Sequence, residues 1–526
     1  MQCMKKGACF SDAGLRFIVA LAFASTAVLH AREDVPSLSK GMVQEPFSAA
    51  SGHDDGSREW PAGHPLAVST EKLEQRALSG DIEAQSELAL RYSTGIKTEK
   101  NADLAYKWAR QAAERGNAEA QYTLSVCYWT GTGVKQDKER AMEWLQKSVK
   151  QEYPVAETSL ALFHYQGNGV EKNVKKAAEL FHKAAERGDL RALDYLARMY
   201  LVGDGVPRDE KKGLAYLARG IDRGDRKARY TLGICYLAGQ GVPQDNARGM
   251  ELLNKSAQQA YPFAEHDLGI CYYTGQGTER DLKKAVEYFQ RAAQHGNRAA
   301  LARLGQMHQN GDGVPKDEKK AVEYFTRGAE QGDPENQYRL GACYLIGRGV
   351  EPDREKGLEL FEKSAAQDYP DAEWDLSAIY HEGMGVEKDV LKAERLLERA
   401  AEHGKKGAFN ILALRYLKGT EAPIDRARGM AYLVKGAHQG DAQSQYNLGI
   451  LYFSGNGVEK NETSAVEWFQ KSARQGYADA AWMLGVCHSR GIGSEKNEEK
   501  AEQYMRQAAE AGSRQALEWL QQRKQG

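Results

Sequence analysis

Cysteine, histidine and carboxylate side chains could do chemistry in this chain, and their spacing decides which kind. Five of the seven cysteines, Cys127, Cys235, Cys271, Cys343 and Cys487, stand apart by multiples of 36 residues. They fill one recurring slot, which elsewhere takes Phe163, Met199, Ile379 or Leu451. A thiol that alternates with large apolar residues behaves as a small buried hydrophobe, not as a nucleophile or ligand. Cys235 and Cys271 lie one spacing apart. A disulfide needs Cα atoms within about 7 Å, and packed helices stand about 8–10 Å apart, so no bridge is expected. The twelve histidines do not gather as metal ligands; His164, His308 and His488 replace a recurrent tyrosine. Gly203-Asp204-Gly205-Val206-Pro207-Arg208-Asp209 has the look of a calcium or phosphate loop. It lacks the acid spacing of the first and the lysine and hydroxyl of the second. With no serine elbow, no HExxH and no isolated carboxylate pair, the expectation is a chain without catalytic residues, metal or cofactor.

The same spacing governs the elements that carry these residues. From Leu88, steps of 36 reach Leu124, Leu160, Leu196, Leu232, Leu268, Leu304, Leu340, Leu376, Leu412, Leu448, Leu484 and Leu520. From Gly95 they reach a glycine every time, through Gly491. No insertion breaks the register, and such self-similarity is the signature of a solenoid. Each period holds two amphipathic stretches. In one unit Ala228, Leu232, Cys235 and Tyr236 recur at helical spacing, then Gly249, Leu252, Leu253, Ser256 and Ala257. Between them, Gly239 and Gly241 permit the positive φ that ends a helix. Asp245 stands where a side chain caps the next helix. That position is Asp or Asn in all twelve units, from Asn101 to Asn497. Val134, Val170 and Val206 plug the turns. Two units, at Gly95-Ile96-Lys97-Thr98 and Gly419-Thr420-Glu421-Ala422, lack the second glycine and the valine.

A longer period of 108 residues overlies the first. Lys147-Ser148 recurs at Lys255-Ser256, Lys363-Ser364 and Lys471-Ser472, and Tyr153-Pro154 at Tyr261-Pro262 and Tyr369-Pro370. In these units Glu152, Ala260 and Asp368 replace the closing glycine, and Gly220, Gly328 and Gly436 form another series. Duplication of a three-repeat block explains this; a periodic change in superhelix direction is the alternative.

Ala264, Leu268, Gly269, Tyr272, Gly275, Gly277, Asp281, Ala285, Tyr288, Phe289, Ala292, Ala293 and Gly296 together resemble the Sel1-like repeat family, and the resemblance covers about residues 70–524. It implies an all-α fold: an α/α solenoid, wound as a right-handed superhelix, of about twelve 36-residue helix-turn-helix repeats. It also implies a tetratricopeptide-related adaptor or protein-binding module.

Lys5, Lys6 and Arg16 precede an apolar run from Phe17 to Leu29 and then Ala31, the layout of a secretory signal. The expected division is residues 1–31 as signal peptide, 32–69 as disordered linker and 70–526 as solenoid. A half-unit, Ser513 to Gln522, closes it as a capping helix. Lys and Arg number 72 against 73 Asp and Glu, which excludes the basic footprint of a nucleic-acid binder. No later segment is apolar enough for stable membrane insertion. The partner is expected to be a protein or peptide met outside the cytoplasm, periplasmic or secreted. The alternatives are a binder of cell-wall glycan or its precursors and, last, a hydrolase of cell-wall or β-lactam substrates, an activity proposed for secreted relatives. The oligomeric state is not legible. Function in such repeats lies at non-repeating positions of the first helices. The central ones are Arg191, Tyr195, Lys227, Phe263, Asp267, Arg303, Arg339, Ile346, Asp371 and Asp375, read as an open concave face. Tyr195, Lys227, Phe263, Asp267, Arg303, Arg339, Asp371 and Asp375 are the candidate binding residues.

Overall fold

The computed structural model describes residues 68–419 and 424–525. The expected signal peptide, nearly all of the expected linker and the Thr420-Glu421-Ala422 turn lie outside the described residues. Among the described residues there are 26 α-helices, most of 13 residues, and no strand. Counting from residue 82 in steps of 36, repeat 1 spans 82–117 and repeat 12 spans 478–513, each with a first and a second helix. Helix Thr70–Leu78 precedes repeat 1, and helix Arg514–Gln525 follows repeat 12. These residues fall into two compact units, one ending at Asn297 with repeat 6 and one starting at Arg298 with repeat 7.

The local chemistry sets the helix ends. In every repeat the Asp or Asn before the second helix accepts a hydrogen bond from a backbone N–H two or three residues on, as Asp245 does from Arg248. First helices end on a left-handed glycine, such as Gly275 at φ 81°. The second glycine of the turn is also required by contact. A Cβ on Gly133 would lie 2.1 Å from the Ala102 carbonyl oxygen, on the second helix of the repeat before. Where repeat 1 lacks that glycine, Lys97 takes the same left-handed backbone at φ 57°.

Within a repeat the two helices close through a size match. A Cβ on Gly269, Gly305, Gly341 or Gly449 would lie 2.3–2.7 Å from the ring of Phe289, Phe325, Phe361 or Phe469. In repeats 4 and 10 the same two slots hold Ala197 with Leu217 and Ala413 with Leu433, so the larger residue yields where the smaller one grows. Repeat 3 keeps Ala161 with Phe181, whose ring is stacked on Tyr195 at 4.9 Å.

The 108-residue period is a cycle of joints between repeats. Ser148, Ser256, Ser364 and Ser472 each donate to the first carbonyl of their own repeat's first helix, at 2.6–2.7 Å. These repeats end on Tyr153, Tyr261, Tyr369 and Tyr477, each the N-cap of the next first helix, whose rings lie 5.2–5.9 Å from Tyr122, Tyr230, Tyr338 and Tyr446. Glu152, Ala260 and Asp368 accept left-handed backbones, φ 54–61°, to make this turn. Where Gly328 replaces the serine, Asn336 of the following repeat fills the space and donates to the Arg298 carbonyl at 3.1 Å.

Candidate interaction surface

The first helices bring the candidate residues together as pairs between successive repeats. In the N-terminal unit Tyr195 is 1% exposed, with the Lys227 ammonium 5.2 Å from its ring centroid. Lys227 also reaches Asp194 at 3.0 Å, and Arg198 reaches the same carboxylate at 3.2 Å. The Thr231 hydroxyl donates to it at 2.7 Å. Burial pushes the Asp194 pKa upward, but Arg198, Lys227 and Thr231 outweigh that and hold it below the ordinary carboxylate range. Arg191 pairs with Asp189 at 3.3 Å. Asp267 is buried and accepts from the Tyr230 hydroxyl at 2.8 Å.

In the C-terminal unit Arg339 is buried against Glu335 at 2.7 Å. Asp371 is buried and paired with Lys405. Asp375 is buried and accepts from the Tyr338 hydroxyl at 2.9 Å. Burial pushes the Asp375 carboxyl up to about 7. That suits acid–base chemistry, yet at 3% exposure no substrate reaches it. Arg303 and Ile346 are half-buried.

The open face expected at these positions is therefore closed at five of them: Tyr195, Asp267, Arg339, Asp371 and Asp375 are inside. Three of them match a neighbour 34 to 37 residues away, Asp267 with Tyr230, Asp371 with Lys405 and Asp375 with Tyr338, whereas Arg339 pairs within its own helix. That complementarity across one period was the available signal. Phe263 is different. It is 50% exposed, its ring 5.6 Å from Tyr261, over which the Arg226 guanidinium lies at 5.8 Å.

The cysteine and histidine slots behave as packing positions. All five cysteines are buried and unbridged, and burial pushes Cys127, Cys235, Cys271 and Cys343 up to about 12 and Cys487 to about 11. His308 and His488 stack on Tyr324 and Tyr504 at 5.5 and 5.6 Å. One histidine departs from the sequence reading: ligand atoms of His403, Glu373 and Asp368 lie within 4.8 Å of one another. The Arg399 guanidinium stands 2.8 Å from both carboxylates, where a cation would sit.

The Sel1 repeat model matches residues 82–117 and each following 36-residue span through 370–405, then 410–441, 442–477 and 478–513. Among solved structures the chain is similar to a protective antigen present in uropathogenic Escherichia coli strains and displaying an SLR fold. The identity is 29%, over 77% of this chain and 86% of that chain, with a TM-score of 0.38. It is similar also to a Sel1 repeat protein from Oxalobacter formigenes, at 31% identity, 47% of this chain and 99% of that chain, TM-score 0.40. An immunity protein from Pseudomonas aeruginosa matches at 24% identity, 41% of this chain and 82% of that chain, TM-score 0.29. No functionally curated protein matches.

Proposed function

The chain belongs to the Sel1 repeat family, and from that premise we propose that it is a non-catalytic scaffold recognising a protein or peptide outside the cytoplasm. Sel1 repeat proteins serve in general as protein-interaction scaffolds. The observation that carries the reading for this chain is Phe263. A half-exposed phenylalanine on the first turn of a helix loses hydrophobic free energy to water unless something covers it. Tyr261 and the Arg226 cation beside it complete the aromatic–arginine composition of a binding hot spot. Asp267 supports the site through Tyr230, whose hydroxyl it accepts from and whose ring lies 5.3 Å from that of Tyr261. The basic and apolar order of residues 1–31 supports export.

The test is one experiment in the native host. The full chain with a C-terminal tag is recovered from the envelope or medium, its N-terminus is sequenced, and co-purifying proteins are compared with those of Phe263→Ser. The expected result is a mature chain that has lost the apolar run, and a partner retained by the unaltered chain but reduced at least tenfold by the variant. A cytoplasmic chain with Lys5 and Lys6 still attached contradicts the export half. Equal recovery by both forms contradicts the recognition site.

A further inference from the structure

The inner positions that are sealed in the central repeats are open in repeats 10 to 12. In repeats 4, 5 and 6 the residues one and two turns into this face, Tyr195 with Arg198, Thr231 with Ile234 and Asp267 with Ile270, are all buried. Their counterparts in the last three repeats are Ile411 with Leu414, Asn447 with Ile450 and Met483 with Val486, and each is at least partly exposed. Ile411 is 39% exposed. The row is one surface. Asn447 donates to Asn410 at 2.7 Å and ties the helices of repeats 10 and 11 together. Ile450, Phe453, Met483, Val486 and Trp519 pack around a single core cluster.

One edge of this apolar row is basic. Two turns beyond Ile411 and Met483 stand Lys418 and Arg490, both exposed, and neither has an ion-pair partner among the described residues. Exposed Ser454 lies between them in the same register. Some other exposed helix cations pair with an acid four residues away, as Lys255 does with Glu251 and Arg506 with Glu502. The one acid of the repeat 12 first helix, Asp479, stands in its first turn, at the opposite end from Arg490.

We infer that the first helices of repeats 10 to 12 form a second docking surface, for a partner segment that carries apolar side chains on one side and carboxylates on the other. The cations are two repeats apart, about 20 Å at ordinary helix spacing. An extended chain rising about 3.3 Å per residue covers that in six residues and alternates its sides as it goes. Acids at i and i+6 with apolar residues at i+1, i+3 and i+5 match the edge and the row together. The surface is separate from Phe263 and does not rest on it.

The probe is an acetylated, fluorescein-labelled peptide of sequence Glu-Leu-Ser-Phe-Ser-Leu-Glu, compared with the peptide in which both glutamates are lysines. Binding to the full exported chain is read by fluorescence polarisation at low and high salt. The acidic peptide is expected to bind at least tenfold more tightly than the basic one, with the difference shrinking as salt rises. Lys418→Glu with Arg490→Glu, both on exposed side chains, should invert that preference. Ile411→Ser should weaken both peptides, and Phe263→Ser should change neither. Equal binding of the two peptides, no binding of the acidic peptide up to millimolar concentration, or binding that follows Phe263 overturns the inference. Only the last of these bears on the Phe263 site, and it bears in that site's favour.

Discussion

Asp375 holds a proton in the folded chain that the unfolded chain releases. Its carboxyl is pushed up to about 7 by burial, with the Tyr338 hydroxyl donating to it, whereas an unfolded aspartate titrates near 4. The sign follows from proton linkage. Between about pH 4 and 7 the native state binds more protons than the unfolded one, so stability falls as pH rises through that window and is fully present only below it. Three pKa units correspond to an upper bound of about 4 kcal/mol. Asp375→Asn keeps an acceptor for Tyr338 and has no proton to lose. Its melting temperature should therefore gain on that of the unaltered chain from pH 5 to pH 8; a difference constant with pH would show that the carboxyl is not strained by burial. Asp194, one similar position away in the N-terminal unit, is held low by Arg198 and Lys227. Two buried aspartates thus differ because Asp194 has Arg198 on its own helix and Lys227 on the next repeat, whereas Asp375 is bonded to the uncharged Tyr338 hydroxyl.

In the repeats that pair glycine with phenylalanine, the two helices meet through a size match that predicts a specific rescue. In repeat 7 a Cβ on Gly305 would lie 2.3 Å from the Phe325 ring, and overpacking of this kind costs about 1–3 kcal/mol. Gly305→Ala should lower the denaturation midpoint, and Phe325→Leu added to it should recover part of the loss, as the Ala197 and Leu217 pair in repeat 4 indicates. Additive losses in the double-mutant cycle would mean that the two positions do not meet. This level was legible from the residues alone: the small residue in each first helix, the first glycine of each turn and the Asp or Asn before each second helix recur without a break. The face of the first helix was legible only in part. Sequence variation there reads as freedom from contact, but variation also arises where a residue answers a different neighbour, as Asp267 answers Tyr230 and Asp371 answers Lys405. Phe263 stayed readable because half of its surface is left in solvent.

At the scale of the whole chain the 36-residue register runs past the last complete repeat. Helix Arg514–Gln525 continues the register with Leu520 in the core slot, but Gln521 stands where the repeats carry Gly, Ala or Ser. The two units each carry a different candidate surface, Phe263 in repeat 6 and the apolar row of repeats 10 to 12. The three-repeat cycle of serine, alanine and glycine joints runs through both. The central claim is that Phe263 meets a protein outside the cytoplasm. The most direct measurement places the photo-cross-linking residue p-benzoylphenylalanine at position 263 of the full chain in its native host, with the same residue at Leu391, which is 71% exposed on a second helix, as control. On illumination the account predicts one discrete cross-linked protein from position 263 and none from position 391. A cross-linking pattern the same at both positions, or none from position 263, would contradict it.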